Sequence, residues 1–496
     1  MTSRLSSADA AWLHMDRPTN LMVINSVLLF DEPVDWERVK RVTQERLIDR
    51  YPKFHQRVIE SRLPLRPPAW QDDPDFALEH HMHHLALPAP GDATALQELV
   101  GDLMTMPLDR SRPLWHEYMV DGFGDGAALI VRMHHCIADG IALARVMLSM
   151  TDSAPEAGIQ ALDRRNVGAS PIVVGGRAVP GTRSVKKVVG LGLGAARQTA
   201  SIATSPGQAL RLGSVIGRDA FTLLRLALTP ADAASAIKGD PGVSRRVAWT
   251  RPMSLKRVKA IAHAQDATVN DVLLAAVSGA LRHYLRERGS PVHEIQAMVP
   301  FNLRPLDEPL PRELGNRFGL VFLPLPVGVS GSYRRLTEVH KRMDEIKRSR
   351  DGAVSYELLS ITGLAPEAVE RRVVDLFSAK GTAVMTNVPG PKEPVYLAGT
   401  PVRTVLVWAP TSGHIGMSVS IFSYRDEVTV GLMVDAALVP DPGKIVSQLR
   451  HEMTELARLT PARATRRRPR NPRQRSAPTS KHRITRSASS RRRTGA

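Results

Sequence analysis

Eight of the ten residues in LMVINSVLLF, positions 21–30, are apolar, which is the pattern of a strand buried on both faces. The next segment, VDWERVKRVTQERLIDRYP at 34–52, changes to helical spacing with one apolar stripe and stops at Pro52. ALIVRMHH at 128–135 predicts another interior strand, and GIALARVMLSM after Asp139 predicts a largely buried helix. Asp139 is placed to cap that helix, because a carboxylate there accepts the free N–H groups of the first turn. Strands alternating with helices over the first 150 residues predict an α/β fold.

Periodicity is lost from about 151 to 185, where Gly, Pro, Ser and Arg accumulate, and a basic, partly amphipathic helical region follows at roughly 186–237. A second α/β run begins near 245. It contains a strong helix, TVNDVLLAAVSGALRHYLRERG at 268–289, with Asn270 and Asp271 in its first turn. Five strand-like segments follow (AMVPFNLRP, LVFLPLPV, VRTVLVWAP, IGMSVSIFSY and EVTVGLMVD), and a helix over 442–459 closes the run. The expected organisation is an N-terminal subdomain over 1–180, a crossover segment over 181–240, a C-terminal subdomain over 241–460 and a tail over 461–496. Each half pairs strands with long helices, without a residue-level repeat.

Composition supports two domains: 496 residues exceed one compact domain of ordinary size, and a hydrophobic content of 43% is enough for their cores. A single cysteine excludes an intramolecular disulfide framework and fits a reducing compartment. The N-terminus shows no signal-peptide pattern, and VVGLGLGAA and FTLLRLAL fall short of the roughly 20 apolar residues that span a bilayer. The expected location is therefore cytoplasmic, with any membrane association peripheral.

The net charge of +18 is uneven, because 12 Arg and one Lys, with no Asp or Glu, lie from Arg463 onward. Such a tail has almost no apolar surface to bury and is expected to be disordered. It would bind phosphates on anionic lipid as a charge tether. Interleaved aromatics are missing, so nucleic acid is not the expected partner. Residues 205–229 either supply the apolar half of interfacial binding or form a crossover helix packed on both domains.

Two histidine clusters remain. In EHHMHHL at 79–85, His80 and His84 share a helical face, or His81 and His83 a strand face, but no third ligand is supplied. That segment reads as polar surface or a strand edge. In RMHHCIADGIAL at 132–143 a strand delivers His134 and His135 to its end, and the chain turns through Cys136 into Asp139-Gly140 at a helix start. The two imidazoles face opposite sides of a strand, so only one points into a given cleft. A neutral histidine there can act as a general base toward a hydroxyl. The spacing matches no zinc pattern, and Cys136 reads as a small buried residue rather than a nucleophile.

His134-His135-x-x-x-Asp139-Gly140 resembles the HHxxxDG signature of the CoA-dependent acyltransferase superfamily, which includes chloramphenicol acetyltransferase and the condensation domains of nonribosomal peptide synthesis. No carrier domain accompanies it, which argues against peptide condensation. Over about 4–460 the chain resembles the bacterial wax ester synthase/acyl-CoA:diacylglycerol acyltransferase family, particularly actinobacterial triacylglycerol synthases. LSSADAAWLHMDRPTNLM, PLDRSRPLW, TVNDVLLA, VPFNLR, LGNRFG and TNVPGPKEPVYLAG carry the resemblance in order.

The resemblance implies two chloramphenicol-acetyltransferase-like subdomains, with mixed sheets flanked by helices, around a central tunnel. It implies acyl-CoA as donor substrate, without metal or other cofactor, and diacylglycerol as acceptor, with a peripheral membrane or lipid-droplet location. A long-chain alcohol as acceptor is the alternative, and a non-catalytic lipid-surface paralogue is a second. His135 corresponds to the catalytic base, with His134, Asp139 and Gly140 completing the signature. Asn270 corresponds to the residue stabilising the oxyanion, a task that suits a side-chain amide. Pro113, Leu114, Trp115, Asp271, Asn316, Asn387, Pro389 and Gly390 match positions that shape the tunnel and the domain interface. Many members carry Val-Pro-Val-Ser-x-Arg where this chain has Val299-Pro300-Phe301-Asn302-Leu303-Arg304. Arg304 is retained, with an implied ionic role toward Asp139, while Phe301 and Asn302 would alter the tunnel wall and bear on acceptor choice.

Overall fold

The computed structural model describes residues 2–60, 68–156, 230–302, 311–348 and 367–459. Arg304, the basic tail and most of the 151–237 region fall outside them. The side chains of Phe301 and Asn302 do too.

Eleven strands and nine helices among the described residues position the site. The strands are β1 Val23–Phe30, β2 Met82–Ala86, β3 Trp115–Phe123, β4 Gly126–His134, β5 Arg245–Trp249, β6 Ile295–Asn302, β7 Phe318–Leu325, β8 Ala383–Pro389, β9 Thr404–Trp408, β10 Met417–Tyr424 and β11 Glu427–Asp435. The helices are α1 Ser7–His14, α2 Trp36–Thr43, α3 Ala93–Thr105, α4 Gly140–Ser149, α5 Leu255–Ala264, α6 Val269–Glu287, α7 Ser332–Arg348, α8 Glu367–Ser378 and α9 Pro442–Arg458. The fold is mixed α/β. One sheet has the order β9-β1-β4-β3-β2, and a second has β7-β6-β8-β10-β11-β5, with Met253–Ser254 added along β11. Both sheets are mixed: β2 runs parallel to β3, and β8 runs parallel to both β6 and β10.

Continuous apolar strands end up in the middle of the first sheet because both its faces are covered. All eight residues of β1 and all nine of β4 are buried. On one face, Ile24 and Leu28 of β1 and Leu129 and Val131 of β4 pack on Leu143 and Met147 of α4. On the other, Val27, Leu29 and Ile130 join Leu96 and Val100 of α3 and Val247 and Met433 of the second sheet.

VRTVLVWAP reads as a strand of the second run, but the structure inserts it into the first sheet. Thr404–Trp408 pairs antiparallel with β1, from Thr404 opposite Leu29 to Trp408 opposite Asn25. All five residues are buried. Period-two burial reports that a strand is covered, not which sheet it joins, so the swap was invisible in the pattern.

α6 starts where its sequence predicts. Thr268 Oγ1 accepts the Asp271 N–H at 3.2 Å, and Asp271 Oδ2 accepts the Thr268 N–H at 2.9 Å, a reciprocal capping box. The predicted helix over 34–52 is α-helical only to Thr43 and continues as a π-helical turn over Gln44–Ile48.

Thr43 donates to Glu117 Oε2 at 3.0 Å, and Glu117 is wholly buried on β3 with its other oxygen unpartnered among the described residues. Burial raises the Glu117 carboxyl to about 7, against which the Thr43 hydrogen bond acts weakly. A raised acid is protonated in the folded state and ionised in the unfolded state between 4.5 and about 7. Stability therefore falls as pH rises through that window, by about 3 kcal/mol, and is level above it. Glu117→Gln should unfold in urea with the pH trend removed, gaining on the natural protein between pH 4.5 and pH 7. Parallel trends for the two proteins would refute the assignment.

Candidate functional site

His135 lies one residue beyond the end of β4, where the strand turns toward α4. Its N–H donates to Met22 O at 2.7 Å, which keeps the turn against the start of β1. The imidazole stacks on the Trp12 indole of α1, with centroids 4.0 Å apart and planes 19° apart. Phe318 of β7 lies 5.4 Å from it on a tilt. Burial drives the His135 imidazole down to about 3. Asn316 and the residue's own carbonyl pull weakly the other way. The ring is thus neutral at pH 7. Its Nδ1 is buried without a hydrogen-bond partner among the described residues.

His134 faces the opposite side of the sheet, as alternation requires. Its Nδ1 accepts the Cys136 N–H at 3.1 Å, and its Nε2 lies 3.8 Å from Asp16 Oδ2. Burial opposes charge on His134 and Asp16 favours it, but the Cys136 N–H occupies the lone pair that a second proton needs. Asp16 also accepts the Met22 N–H at 2.7 Å and Arg110 Nη2 at 3.4 Å. Burial works to raise the Asp16 carboxyl, and its His134, Met22 and Arg110 neighbours outweigh that and lower it. Asp139 caps α4 through Ala142 N at 2.8 Å, and its second oxygen accepts the Arg317 backbone N–H at 3.1 Å. A Cβ added at Gly140 would meet only Ile24 Cδ1 at 3.9 Å, so packing leaves room beside the cap.

Three further buried side chains hold the histidine turn. Asn316 Nδ2 donates to His135 O at 2.8 Å and to Asp9 Oδ1 at 2.7 Å, and Asn316 N donates to the same oxygen at 3.0 Å. Lys53 Nζ lies 3.3 Å from Asp9 Oδ2 and donates to Ile137 O at 3.1 Å. The LGNRFG motif points to Asn316, whereas nothing in LSSADAAWLHMDRPTNLM singles out Asp9, Trp12 or Asp16 and nothing in RYPKFHQR singles out Lys53.

Asn270 sits in the first turn of α6. Its Oδ1 accepts Asn387 Nδ2 of β8 at 3.1 Å, and its Nδ2 is buried without a partner among the described residues. The structure joins Asn270 to Asn387, and among the described residues no hydrogen bond ties that pair to His135. Asp271 turns instead to the α6 cap and to His340 Nδ1 at 2.8 Å. Leu114 O accepts the His134 N–H at 2.9 Å, and Trp115 Nε1 donates to Phe54 O at 2.7 Å, so Pro113-Leu114-Trp115 aligns the start of β3 with the end of β4. Gly390 donates to Ser423 O at 2.7 Å, and an added Cβ would strike Phe422 at 2.5 Å. Pro389, just before it, ends β8.

EHHMHHL lies at the β2 edge of the first sheet, yet His81 is buried rather than at the surface. It stacks on Trp115 at 4.7 Å and pairs through Nδ1 with Trp115 O at 2.9 Å. His83 Nε2 lies 3.0 Å from His116 Nδ1, and His84 Nε2 lies 2.7 Å from Asp121. Burial drives His116 down to about 3, with His81 and His83 adding to the effect. Among the described residues a small cavity between the sheets has a mixed lining, with Asn20, Asn25, Arg245 and Thr411 beside Val23, Met104 and Met433. An apolar one is lined by Leu28, Met147, Val405 and Phe422 beside α4. No helix of the described residues is long and apolar enough to cross a membrane.

Residues 5–273 match the wax ester synthase/diacylglycerol acyltransferase catalytic domain, and residues 314–457 match the WS/DGAT C-terminal domain. A probable diacylglycerol O-acyltransferase of Mycobacterium tuberculosis is 27% identical over 477 residues, covering 94% of this chain and 98% of that protein. A putative diacylglycerol O-acyltransferase of Mycobacterium bovis matches to the same extent. Among solved structures, the wax ester synthase/diacylglycerol acyltransferase of Marinobacter aquaeolei VT8 superposes with a TM-score of 0.64 at 22% identity, covering 92% of this chain and all of that one. The first condensation domain of the calcium-dependent antibiotic synthetase gives 0.55 at 15% identity, covering 93% and 96%. At these identities the two structures bear on the fold alone.

Proposed function

The chain belongs to the wax ester synthase/diacylglycerol acyltransferase family, and from that premise we propose that it moves a long-chain acyl group from acyl-CoA to the free hydroxyl of diacylglycerol, with His135 as general base. The observation that carries the mechanism is a buried, neutral imidazole held at a strand end by Trp12 and the Asn316 network.

His135 Nε2 removes the hydroxyl proton as that oxygen attacks the thioester carbonyl. The tetrahedral oxyanion collapses, the carbon–sulfur bond breaks, and the imidazolium returns the proton to the CoA sulfur. Triacylglycerol and free CoA result, without an acyl-enzyme. Asn270 Nδ2 is the donor assigned to the oxyanion, since Asn387 occupies its Oδ1 and leaves the N–H groups free. A tunnel past His135 would align the two substrates and exclude the water that would otherwise hydrolyse the thioester. The basic tail and residues 205–229 would hold the protein at a membrane or lipid-droplet surface.

Purified protein given a long-chain acyl-CoA should release CoA with diacylglycerol faster than with a fatty alcohol of matched chain length. Wax ester as the dominant product would reverse the acceptor assignment. No CoA release with either acceptor would remove the catalytic reading.

A further inference from the structure

We infer that Asp9 is a positioning residue for the base: through Asn316 and Lys53 its one carboxylate fixes two carbonyls, His135 O and Ile137 O, of the turn that carries His135. The inference rests on the general-base reading above and assigns a role to residues outside the HHxxxDG signature.

Asp9 stands three residues after Ser6, the N-cap of α1, where an acidic side chain would ordinarily reach back to the N-cap N–H. Ser6 does its half, accepting the Asp9 N–H at 3.1 Å. The Asp9 carboxylate points inward instead. One oxygen receives both Asn316 N and Nδ2, and the other faces Lys53 Nζ. Asn316 then reaches His135 O, and Lys53 reaches Ile137 O. Each arm thus touches the carboxylate at one end and the turn at the other.

Stability does not explain this arrangement. Asp9 is 3% exposed and Lys53 4%, and buried pairs of this kind are often matched or bettered by apolar residues of similar size. Their common effect is geometric. The two arms hold the backbone on either side of Cys136, and Trp12, one turn along α1 from Asp9, stacks on the ring itself. The same short helix therefore fixes the peptide of the base and the plane of its imidazole. Asn316 comes from the chain just before β7, so the clamp also ties the turn to the second sheet.

The test compares Asp9→Asn, the double variant Asp9→Asn/Lys53→Met and His135→Ala, each in the full chain. Asp9→Asn should lower kcat about tenfold to a hundredfold, with KM for acyl-CoA unchanged, as expected when a reacting group moves by a fraction of an ångström to 1 Å. In histidine-ring NMR spectra, the His135 signal, identified by its loss in His135→Ala, should shift in Asp9→Asn as the Trp12 stack loosens. The double variant removes the buried cation left unpaired by the single one, so its Tm should recover toward the natural value while kcat stays low. A kcat that recovers along with Tm would make the pair merely structural and overturn the inference. So would an unmoved His135 signal with natural kcat. Near-natural turnover by His135→Ala would instead defeat the general-base reading, and the NMR shift would still report on the clamp.

Discussion

His135→Ala should lower turnover of acyl-CoA by about 10²- to 10⁴-fold, the range that general-base assistance supplies, while the circular dichroism spectrum and Tm stay close to those of the natural protein. The fold tolerates the change because the residue's structural work is done by its backbone: the N–H to Met22 O and the carbonyl from Asn316 both survive the substitution. The lost ring leaves a gap against Trp12 and Phe318, which costs some stability without unravelling the sheet. The pH profile gives a second check. An exposed histidine near 6.5 would lose its base form as pH falls through that value, dropping the rate tenfold per unit below it. Burial holds His135 near 3, so the neutral form persists and kcat should show no histidine inflection between pH 5.5 and pH 8. An unaltered kcat in folded His135→Ala, or a tenfold-per-unit fall beginning at pH 6.5, would end the assignment.

The parts of the site readable in the sequence were those encoded locally. A buried strand, two histidines at its end and an Asp-Gly helix start lie within RMHHCIADGIAL, and Asp139 caps α4 as that spacing predicts. Asn270 was placed in the first turn of its helix by the same kind of signal. Asp9 and Asn316 are 307 positions apart, and no local pattern shows that they meet. Lys53 in RYPKFHQR looks like any solvated lysine. Asp9 did carry a hint: six of the eight residues in SADAAWLH are buried, and a carboxylate on so apolar a helix needs a partner. His81 escaped for the complementary reason, since a run of four imidazoles in seven residues reads as polar surface until Trp115 and Phe76 are seen stacked around it.

Trp408→Ala should cost about 3–5 kcal/mol of stability. Trp408 is fully buried at the end of β9, the strand the second half of the chain contributes to the first sheet. One side of its environment is Val27 and Leu29 of β1, and the other is Val247 and Met433 of the second sheet. Trp249 of β5 lies 6.2 Å away, ring to ring. Gly431 of β11 is the complementary surface: a Cβ there would sit 2.9–3.0 Å from three atoms of the indole. Gly431→Ala alone should therefore overpack the junction and cost about 1–3 kcal/mol. Combined with Trp408→Ala, the added methyl enters space the indole has vacated, so the double variant should be more stable than the sum of the two losses predicts. Urea unfolding of the three variants measures each quantity. Strict additivity, or a Trp408→Ala protein within 1 kcal/mol of the natural one, would show that the two sheets are held together elsewhere. The consequence reaches the site through register: Trp408 pairs with Asn25, and two residues along β1 Val23 pairs with His134. Loosening the junction should accordingly lower kcat as well as Tm, but by less than any change to the clamp around His135.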